Sequence, residues 1–401
     1  MSWTGACHTA HSVECMLMRS GTEVARHRTG DRRRLKPRAL IAVCMVVALV
    51  APAVSYLRAL TYPGQASLEV RTVEWIRDHG GSPTVDAIEN WWYMRFAPTG
   101  AAPDPSLLPT AVPATPDSAA GAQAAGLPAD LPALAGVPAV PGEGAWAAGR
   151  PAPDGVPAMY STFIRPDAEH PSVIAGVARF DQHRTRARLI AGTREPDGQT
   201  WPEGGQVPPD MRAGLVAAFN SGFKMGGAHG GFYADGRFAR PLRDGAASLV
   251  INRDGRMSVG EWGRDAHFGP DIAAVRQNLA LIVDGGKAVA GLGANAGGRW
   301  GSPRNQLQYT WRSAIGTDPA GNLIYVGGNQ LTLASLARAL TAAGAQEGME
   351  LDIHPRMVDL LSYRQSADTT PTGTPLLPAM PGPATRYLSP DQRDFIAVAL
   401  R

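Results

Sequence analysis

The chain has 401 residues, of which 44% are hydrophobic and 18% are charged, so it holds enough apolar material for a sizeable folded core. Its formal net charge of +3 is unevenly distributed, because residues 1–38 hold eight basic and three acidic side chains and the rest holds 30 basic and 32 acidic ones. A body this close to neutral lacks the basic surface of a nucleic-acid-binding protein, and nucleic acid is therefore excluded as a partner.

One strongly apolar run, residues 39–57, is about long enough to cross a membrane and follows a dense basic cluster. Because basic residues stay on the cytoplasmic side, the pattern predicts a basic cytoplasmic tail (1–38), a transmembrane signal anchor and an extracytoplasmic remainder. A cleaved signal peptide and a buried core helix are the alternatives. Cys7, Cys15 and Cys44 all precede the exported part, which must fold without disulfides.

Residues 58–96 have apolar positions at helical spacing and predict two juxtamembrane helices. The first ends at Gly80, a residue typical of helix C-termini, and the second begins at Ser82 with a proline following it. The aromatic sequence WWY at 91–93 has two interpretations. It predicts either a contact with the membrane interface or a partner, or packing of these helices against the main domain.

Residues 97–157 are mostly Ala, Pro and Gly and predict a disordered Pro/Ala-rich linker. From 158 to 401, short β-rich runs alternate with turn signals, and one clear helix opens at Thr332 and closes at Gly344. Many hairpins with a late strand–helix–strand unit predict the α+β class, as a mixed β-sheet domain with flanking helices. The stretch after Ser389 predicts a short terminal helix.

Two stretches carry residue types suited to a functional site. In the first, AAFNSGFKMGGAHGGF (217–232), a strand ends in polar residues and a glycine-rich loop follows. Glycines let the backbone approach a ligand closely, and the donors on this loop suit a sugar or an anion. The substrate-binding candidates are Asn220, Ser221, Gly222, Lys224 and His229. A flexible hairpin loop is the alternative interpretation.

The second stretch, GMELDIHPRMVDLL (348–361), ends a strand with Asp352 and His354, and Arg312 begins another strand in WRSAIG. A carboxylate, an imidazole and a guanidinium supply acid/base chemistry and charge compensation for a phosphate, so these three are the catalytic candidates. An Asp–Arg pair that only structures the sheet is the alternative. Dinucleotide, P-loop, nucleophile-elbow and HExxH patterns are missing, and spacing alone names no enzyme class.

The order of these stretches resembles the phosphodiester glycosidase family, whose motifs read A-x-N-G-G-F, R-[ST]-A-I-G and N-L-D-G-G-G-S, over roughly residues 158–363. The resemblance implies a hydrolase that acts on a sugar joined through its anomeric oxygen to phosphate. It assigns Asp352 as acid/base or stabiliser of an oxocarbenium ion, Arg312 to the phosphate, and Asn220 with the 222–227 loop to the sugar or leaving group. His354 as proton donor has no support from the family.

The chain departs from the family motifs at three places. Ser221 replaces a glycine, Glu350 replaces an asparagine, and residues 353–356 (IHPR) replace the glycine-rich turn after the acid. Pro355 has no N–H, so an anion-binding nest of backbone donors is largely lost there, although flanking side chains add charge. The sequence VDGGK at 283–287 repeats the letters of that turn but predicts a β-hairpin.

These observations predict a membrane-anchored, extracytoplasmic, phosphodiester-glycosidase-like hydrolase. Its substrates would be sugar-1-phosphodiester linkages of cell-envelope glycans or glycolipids. A change of chemistry on a related substrate, and a catalytically silent domain that binds an envelope glycan or protein, are the alternatives. A third is an accessory domain whose 67–96 helices dock another membrane protein. No cofactor is assigned, a divalent cation stays open, and its ligands are unknown.

Overall fold

The computed structural model describes residues 50–109, 127–295, 297–302, 306–364 and 371–401. It divides the chain into two units, Met1–Val54 and Ser55–Arg401, and the folded domain belongs to the second. The predicted tail, most of the predicted anchor and all three cysteines lie outside the described residues. Among the residues that are described, no helix is both long and apolar enough to cross a membrane.

Three sheets make up the domain. The eight-stranded sheet has the order β1 (Ala147–Ala148), β2 (Met159–Ile164), β3 (Ala175–Phe180), β14 (Leu323–Leu331), β13 (Thr310–Thr317), β15 (Glu347–Ile353), β11 (Leu281–Asp284) and β12 (Lys287–Ala288). One five-stranded sheet has the order β7 (Arg237–Arg240), β6 (Phe232–Ala234), β10 (Ile272–Gln277), β8 (Ala247–Asn252) and β9 (Met257–Glu261). The other has the order β17 (Gly373–Pro375), β16 (Leu360–Tyr363), β5 (Leu215–Asn220), β18 (Phe395–Leu400) and β4 (Thr185–Ile190).

Helices are few, which confirms the predicted α+β class. The helices that lie wholly within the described residues are α1 (Leu68–Ile76), α2 (Ser82–Arg95), α3 (Pro209–Arg212) and α4 (Leu333–Ala342), with a π-turn at Arg77–Gly81 and 3₁₀ turns at Pro105–Leu107 and Arg386–Leu388. Residues 50–61 are also helical. The ladders between the named strands are antiparallel, so the prediction of a mixed sheet was wrong on this point. The strand–helix–strand unit β14–α4–β15 makes no parallel pair, because β13 lies between its two strands.

The helix α4 forms as its sequence predicts. Thr332 caps its N-terminus: its Oγ1 accepts from the backbone N–H of Ser335 at 3.1 Å, and Ser335 Oγ accepts from the Thr332 N–H at 2.9 Å. Leu333, Leu336 and Leu340 recur on one face and are fully buried against the eight-stranded sheet. The helix therefore covers one face of the sheet next to the edge at which β14 ends.

Part of the predicted linker is packed rather than extended. Among residues 127–157, Trp146 is 8% exposed and residues 147–148 form an edge strand paired with β2. A buried ion pair joins Arg165 Nη2 to Glu143 Oε2 at 2.8 Å. Aromatic and charged side chains spaced through the Ala/Pro-rich stretch thus attach it to the domain, which begins before residue 158.

The chain also ends differently from the prediction, because the stretch after Ser389 is not a helix. Residues Phe395–Leu400 form β18, a central strand between β4 and β5 with every position but the last buried. An apolar run of six residues fits a buried strand as well as a helix, and the sheet decides the outcome. This strand brings the polar residues that precede it, 391–394, to the end of β5.

Candidate active site

The two sheets that hold β5 and β15 are joined under the predicted site by buried hydrogen bonds. Asn220 Nδ2 donates to Ser313 Oγ at 2.9 Å, and Ser313 Oγ donates to the backbone oxygen of Asp352 at 2.9 Å. Asn220 Oδ1 accepts from the Tyr325 hydroxyl at 3.0 Å and from the Asp359 N–H at 3.1 Å. Asn220 is therefore fully engaged in holding the strand ends together, and Asp352 stands directly above it.

Asp352 closes β15 and forms an ion pair with a residue from the far end of the chain. Arg393 Nη2 donates to Asp352 Oδ2 at 2.8 Å and to the backbone oxygen of Gly222 at 3.0 Å. Asp352 Oδ1 accepts from the N–H of Ile353 at 2.9 Å. Burial raises the pKa of Asp352, and the charge of Arg393 offsets part of that rise. A carboxyl group held in this way suits acid/base chemistry.

The glycine-rich loop after β5 is fixed in place beside this pair. Asn278 Oδ1 accepts from the Phe223 N–H at 3.2 Å, and a Cβ added at Gly222 would lie 3.0 Å from Asn278 Cγ. Glu195 Oε2 accepts from the Met225 N–H at 3.0 Å. These contacts hold the loop from two sides, which disfavours the interpretation as a flexible hairpin. Only glycine fits at position 222 without a shift of Asn278.

A second buried arginine supports the loop from below. Arg276 Nε donates to Asp394 Oδ2 at 2.8 Å, and its Nη2 donates to the backbone oxygen of Phe223. The Ser221 N–H donates to the Asp394 backbone oxygen at 3.3 Å. Within the described part of the chain, Ser221 Oγ and Asp394 Oδ1 are buried without a hydrogen-bond partner. These two oxygen atoms are therefore available for hydrogen bonds to a ligand or a water molecule beneath the loop.

Two other substrate-binding candidates lie further out on this loop. Lys224 Nζ is 3.3 Å from both Glu74 Oε1 and Asp78 Oδ1, and both of these carboxylates belong to the α1 region. His229 is exposed, with its backbone at φ 51°, and its side chain forms no hydrogen bond or ion pair with the described residues. The structure thus brings Lys224 next to Arg393 through Glu74, and it does not bring His229 into this cluster.

Arg312 lies beneath the site, in a fully buried network. Its Nη1 donates to Glu350 Oε1 at 2.8 Å and to Gln306 Oε1 at 2.6 Å, and its Nε donates to the backbone oxygen of Leu331 at 2.8 Å. Burial lowers the pKa of Arg312 and raises that of Glu350, and the pairing between them offsets both effects. The partner of Arg312 is thus Glu350 rather than Asp352.

His354 follows Asp352 in a left-handed backbone conformation, with φ 80°. Its ring is stacked on Tyr93 of α2 with centroids 6.4 Å apart, and its Nδ1 is 3.9 Å from Glu89 Oε2. Burial, followed by the charges of Arg77 and Arg312, lowers the pKa of His354 to about 3. The imidazole is therefore neutral at physiological pH and does not supply a proton from a charged ring.

The neutral state of His354 predicts a pH dependence of stability. Unfolded histidine takes up a proton near pH 6.5 and the folded ring only near 3, so acid favours the unfolded chain. We expect the unfolding free energy to fall between about pH 6.5 and 3, by up to ~1.4 kcal/mol per unit from this residue. His354→Asn, which tolerates positive φ, should flatten the slope in urea unfolding at pH 6, 5 and 4. An unchanged slope, equal to that of an exposed His183→Asn control, would contradict the burial of a neutral ring.

The two helices before the linker cover this site. Glu74 Oε1 is 3.8 Å from Arg393 Nη1 as well as 3.3 Å from Lys224 Nζ, and Asp78 Oδ2 is 3.5 Å from Arg194 Nη2. The prediction that these helices pack against the domain therefore holds for their acidic face. The three aromatic residues at 91–93 behave differently. Tyr93 packs against His354, whereas Trp91 and Trp92 of α2 are 64% and 53% exposed.

One group of side chains has ligand atoms close enough together to hold a metal ion in the described part of the chain. Ligand atoms of Asp167, Glu169 and His170 lie within 4.8 Å of one another. His170 Nδ1 already lies 3.1 Å from Asp167 Oδ2, and Arg338 Nη2 lies 3.5 Å from Asp167 Oδ1. The guanidinium supplies positive charge that opposes a divalent cation, so these residues make a poor metal site.

Sequence reasoning missed four charged residues of the site: Glu195, Arg276, Arg393 and Asp394. A signal was available for the last two, because QRD stands directly before the apolar run of β18, and polar residues at strand ends often line sites. Arg276 gives no such signal, since it lies inside β10 and reads as an ordinary strand residue.

Part of the chain is similar to a known family. The model of the phosphodiester glycosidase family matches residues 213–352, a range that runs from the start of β5 to Asp352. The resemblance predicted from the motifs is thereby confirmed for this part of the chain. No curated protein sequence is similar enough to this chain to be matched.

The solved structures found to be similar to this chain are distant from it. The catalytic domain of zebrafish N-acetylglucosamine-1-phosphodiester alpha-N-acetylglucosaminidase, described as auto-inhibited by its pro-peptide, is 14% identical with a TM-score of 0.41 over 63% of this chain and 86% of that one. A hypothetical protein from Synechocystis is 13% identical with a TM-score of 0.30, over 57% of this chain and 59% of its own. A putative exported protein from Burkholderia pseudomallei is 12% identical with a TM-score of 0.30, over 57% and 74%.

Proposed function

We propose that the domain is a hydrolase that cleaves the bond between an anomeric carbon and a phosphodiester oxygen. The observation that carries this proposal is the position of the Glu74 carboxylate. One of its oxygens lies 3.3 Å from Lys224 Nζ and 3.8 Å from Arg393 Nη1, and Arg393 in turn holds Asp352. An anion is thus already bound between two cations, next to a carboxyl group that suits acid/base work. A phosphate oxygen fits the same position.

The proposed reaction uses these groups in defined roles. Lys224 and Arg393 hold the phosphate, which departs as a phosphate monoester when the bond from C1 to oxygen breaks. Asp352 stabilises the positive charge that develops at C1 and takes a proton from the water that attacks C1. The products are a reducing sugar and the phosphate monoester. Asn220 and Gly222 position the strand end and the loop, and Arg312 supports Asp352 from below rather than contacting the phosphate.

The same contacts make α1 a cover, which must move before substrate enters. Glu74 occupies the anion position, Asp78 adds a second carboxylate at Lys224, and Glu69 Oε2 is 2.9 Å from Arg356 Nη2. Their side chains are 17%, 39% and 78% exposed. Partly exposed pairs contribute about 0.2–1 kcal/mol each, so each of these ion pairs adds only a small increment to the stability of the closed cover.

Weakening this cover is expected to raise activity. The double change Glu74→Gln with Asp78→Asn removes four ion pairs, two to Lys224 and one each to Arg194 and Arg393, which amounts to about 1–2 kcal/mol. A tenfold change in population corresponds to ~1.4 kcal/mol. We therefore expect kcat/KM on a small sugar-1-phosphodiester to rise roughly fivefold to thirtyfold, measured as reducing sugar released by the detergent-solubilised full chain. Asp86→Asn is the matched control, because Asp86 pairs with Arg77 inside the helical pair.

The outcome separates the proposal from its main alternative. The filled anion position favours a second candidate, a catalytically silent domain that binds an envelope glycan or protein. If the double variant binds inorganic phosphate but releases no sugar from any diester, the silent domain is the better account. If activity falls in the double variant, α1 supports the site rather than covering it.

We further propose that this domain is extracytoplasmic and tethered by the apolar run 39–57, with its N-terminus in the cytoplasm. The support is the run of apolar residues behind a basic cluster and the dearth of cysteine after it. The partners that follow are the membrane and a cell-envelope glycan or glycolipid. The exposed rings of Trp91 and Trp92 suit a contact with the membrane interface or with another membrane protein.

A further inference from the structure

A large open cavity lies near Asp352, at the end of the eight-stranded sheet where β14 and β15 terminate. Its volume is about 610 Å³, within the ~300–1,000 Å³ range of ligand pockets. Tyr309 precedes β13 and Thr332 follows β14, and both line this cavity. Because β14, β13 and β15 are consecutive antiparallel neighbours, the start of β13 lies beside the last residues of β14 and β15. Since β14 lies two strands from β15, at about 4.8 Å per strand, Thr332 in the cavity wall is roughly 10 Å from the end of β15.

The lining combines one aromatic ring and planar polar groups with the aliphatic side chains of Leu134, Leu292 and Leu307. Tyr309 is fixed by His170, whose ring lies 5.1 Å away at an interplanar angle of 64°. Asp167 and Glu169 bring carboxylates, and the guanidinium of Arg338 is tied to the backbone oxygen of Pro166 through Nε at 2.9 Å. Bidentate polar groups bind neighbouring hydroxyls, and an aromatic face packs against the C–H face of a sugar ring.

The charges in this lining argue against other classes of ligand. The carboxylates of Asp167 and Glu169 repel a phosphate, whereas Arg338, 3.5 Å from Asp167, repels a metal ion. The many polar groups disfavour an apolar ligand. A neutral polyhydroxylated ligand satisfies all of these groups without leaving a charge unpaired.

The cavity shares a wall with the proposed site. Gln306 lines the cavity, and its Nε2 donates to Glu350 Oε2 at 2.8 Å while its Oε1 accepts from Arg312 at 2.6 Å. Glu350 stands two residues before Asp352 on β15, where the pairing with β13 is irregular, and the charge of Asp352 contributes to the raised pKa of Glu350. A ligand in the cavity therefore lies alongside the residues that position Asp352.

We propose that this cavity is a glycan subsite that holds neutral saccharide units adjoining the sugar that is cleaved. The inference rests on the proposed function and deepens it. It makes the substrate an oligosaccharide or polysaccharide that carries the phosphodiester, rather than a single sugar joined to phosphate. Tyr309 packs against a saccharide ring, and Asp167 and Arg338 bind its hydroxyls.

The test uses the full chain in detergent with three neutral trisaccharides as probes: maltotriose, cellotriose and chitotriose. Wild-type protein should bind at least one of them in calorimetric titration, and Tyr309→Ala should weaken that binding at least tenfold. Glu169→Gln, at an exposed position, should weaken it less. Phe238→Ala is the matched control, since Phe238 is a 50% exposed aromatic on β7.

Turnover of a small sugar-1-phosphodiester, measured on the same variants, keeps this inference separate from the proposed function. Tyr309→Ala should lower that turnover much less than it weakens trisaccharide binding, because a small diester offers Tyr309 no second saccharide ring. No binding of any trisaccharide to wild-type protein, or equal binding by Tyr309→Ala and Phe238→Ala, would overturn the subsite. Trisaccharide binding without turnover would instead overturn the hydrolase and leave the subsite standing.

Discussion

Replacement of Asp352 by asparagine is expected to lower kcat at least 100-fold, with little change in KM, on any sugar-1-phosphodiester that the protein cleaves. Asparagine keeps the shape of the side chain and accepts the hydrogen bond from Arg393, but it cannot take a proton from water or stabilise a positive charge at C1. General acid–base groups contribute about 10²–10⁴ to rate, which sets the expected size of the loss. Initial rates of reducing-sugar release at saturating substrate measure it directly.

The matched control for this change lies at the opposite end of the strands in the same sheet. Asp318 follows β13 and accepts from Arg179 Nη2 at 2.8 Å, so it forms an ion pair of the same geometry as Asp352 with Arg393. Asp318→Asn should retain nearly full turnover. Comparable losses in both variants would mean that any broken Asp–Arg pair impairs the domain, and the catalytic role of Asp352 would be refuted.

Replacement of Glu350 by glutamine is expected to destabilise the domain by about 3–5 kcal/mol, because it leaves the charge of Arg312 buried without a carboxylate. Both side chains are 0% exposed, and they are joined at 2.8 Å. Since most single domains are only about 5–15 kcal/mol stable, this is the largest loss of stability expected from one change at the site. Urea unfolding of purified protein measures it.

The double change Arg312→Met with Glu350→Leu separates the two roles considered for Arg312. Apolar residues of similar volume can replace a buried ion pair with little loss, so most of the stability should return. If Arg312 only supports the site, turnover in the double variant should stay within about tenfold of wild type. A folded double variant without turnover would show that Arg312 acts on the phosphate itself, as the family resemblance implies.

Much of the fold follows from local sequence. The helix α4 was predicted from its cap and apolar spacing. The hairpin at 283–287 was predicted from its place before the strand of Arg312, and its two glycines adopt φ 57° and 73°. The prediction of a helix at the chain end was wrong, because the apolar run FIAVAL has no hydrophobic periodicity that distinguishes a buried strand from a helix. The packed half of the linker was missed because its composition hides the few residues, such as Trp146, that attach it.

The candidate site was predicted only in part, for a physical reason. Asp352 could be found because a polar residue closes an apolar strand, but its partner Arg393 lies 41 residues away and is set by the pairing of β18 with β5. No local pattern contains that pairing. The sequence also could not show that Arg312 pairs with Glu350 while Asp352 pairs with Arg393. Only the folded sheet places Arg312 opposite Glu350 on the neighbouring strand β15.

The turn after Asp352 has a left-handed backbone at two non-glycine residues. His354 and Arg356 have φ 80° and 68°, in the left-handed region that costs a non-glycine residue about 1–2 kcal/mol. The sequence predicted that an anion-binding nest of backbone N–H groups is largely lost here, because Pro355 has no N–H. The His354 N–H donates to the backbone oxygen of Trp311 at 2.9 Å, and Arg356 pairs with Glu69.

The central claim is that the broken bond joins the anomeric carbon to oxygen, and one measurement addresses it directly. The Glu74→Gln/Asp78→Asn variant would be incubated with a sugar-1-phosphodiester in ¹⁸O-labelled water, and both products would be weighed by mass spectrometry. The account predicts ¹⁸O in the reducing sugar and none in the phosphate monoester. Label in the phosphate would mean attack at phosphorus, and it would contradict the assignment of this domain as a phosphodiester glycosidase.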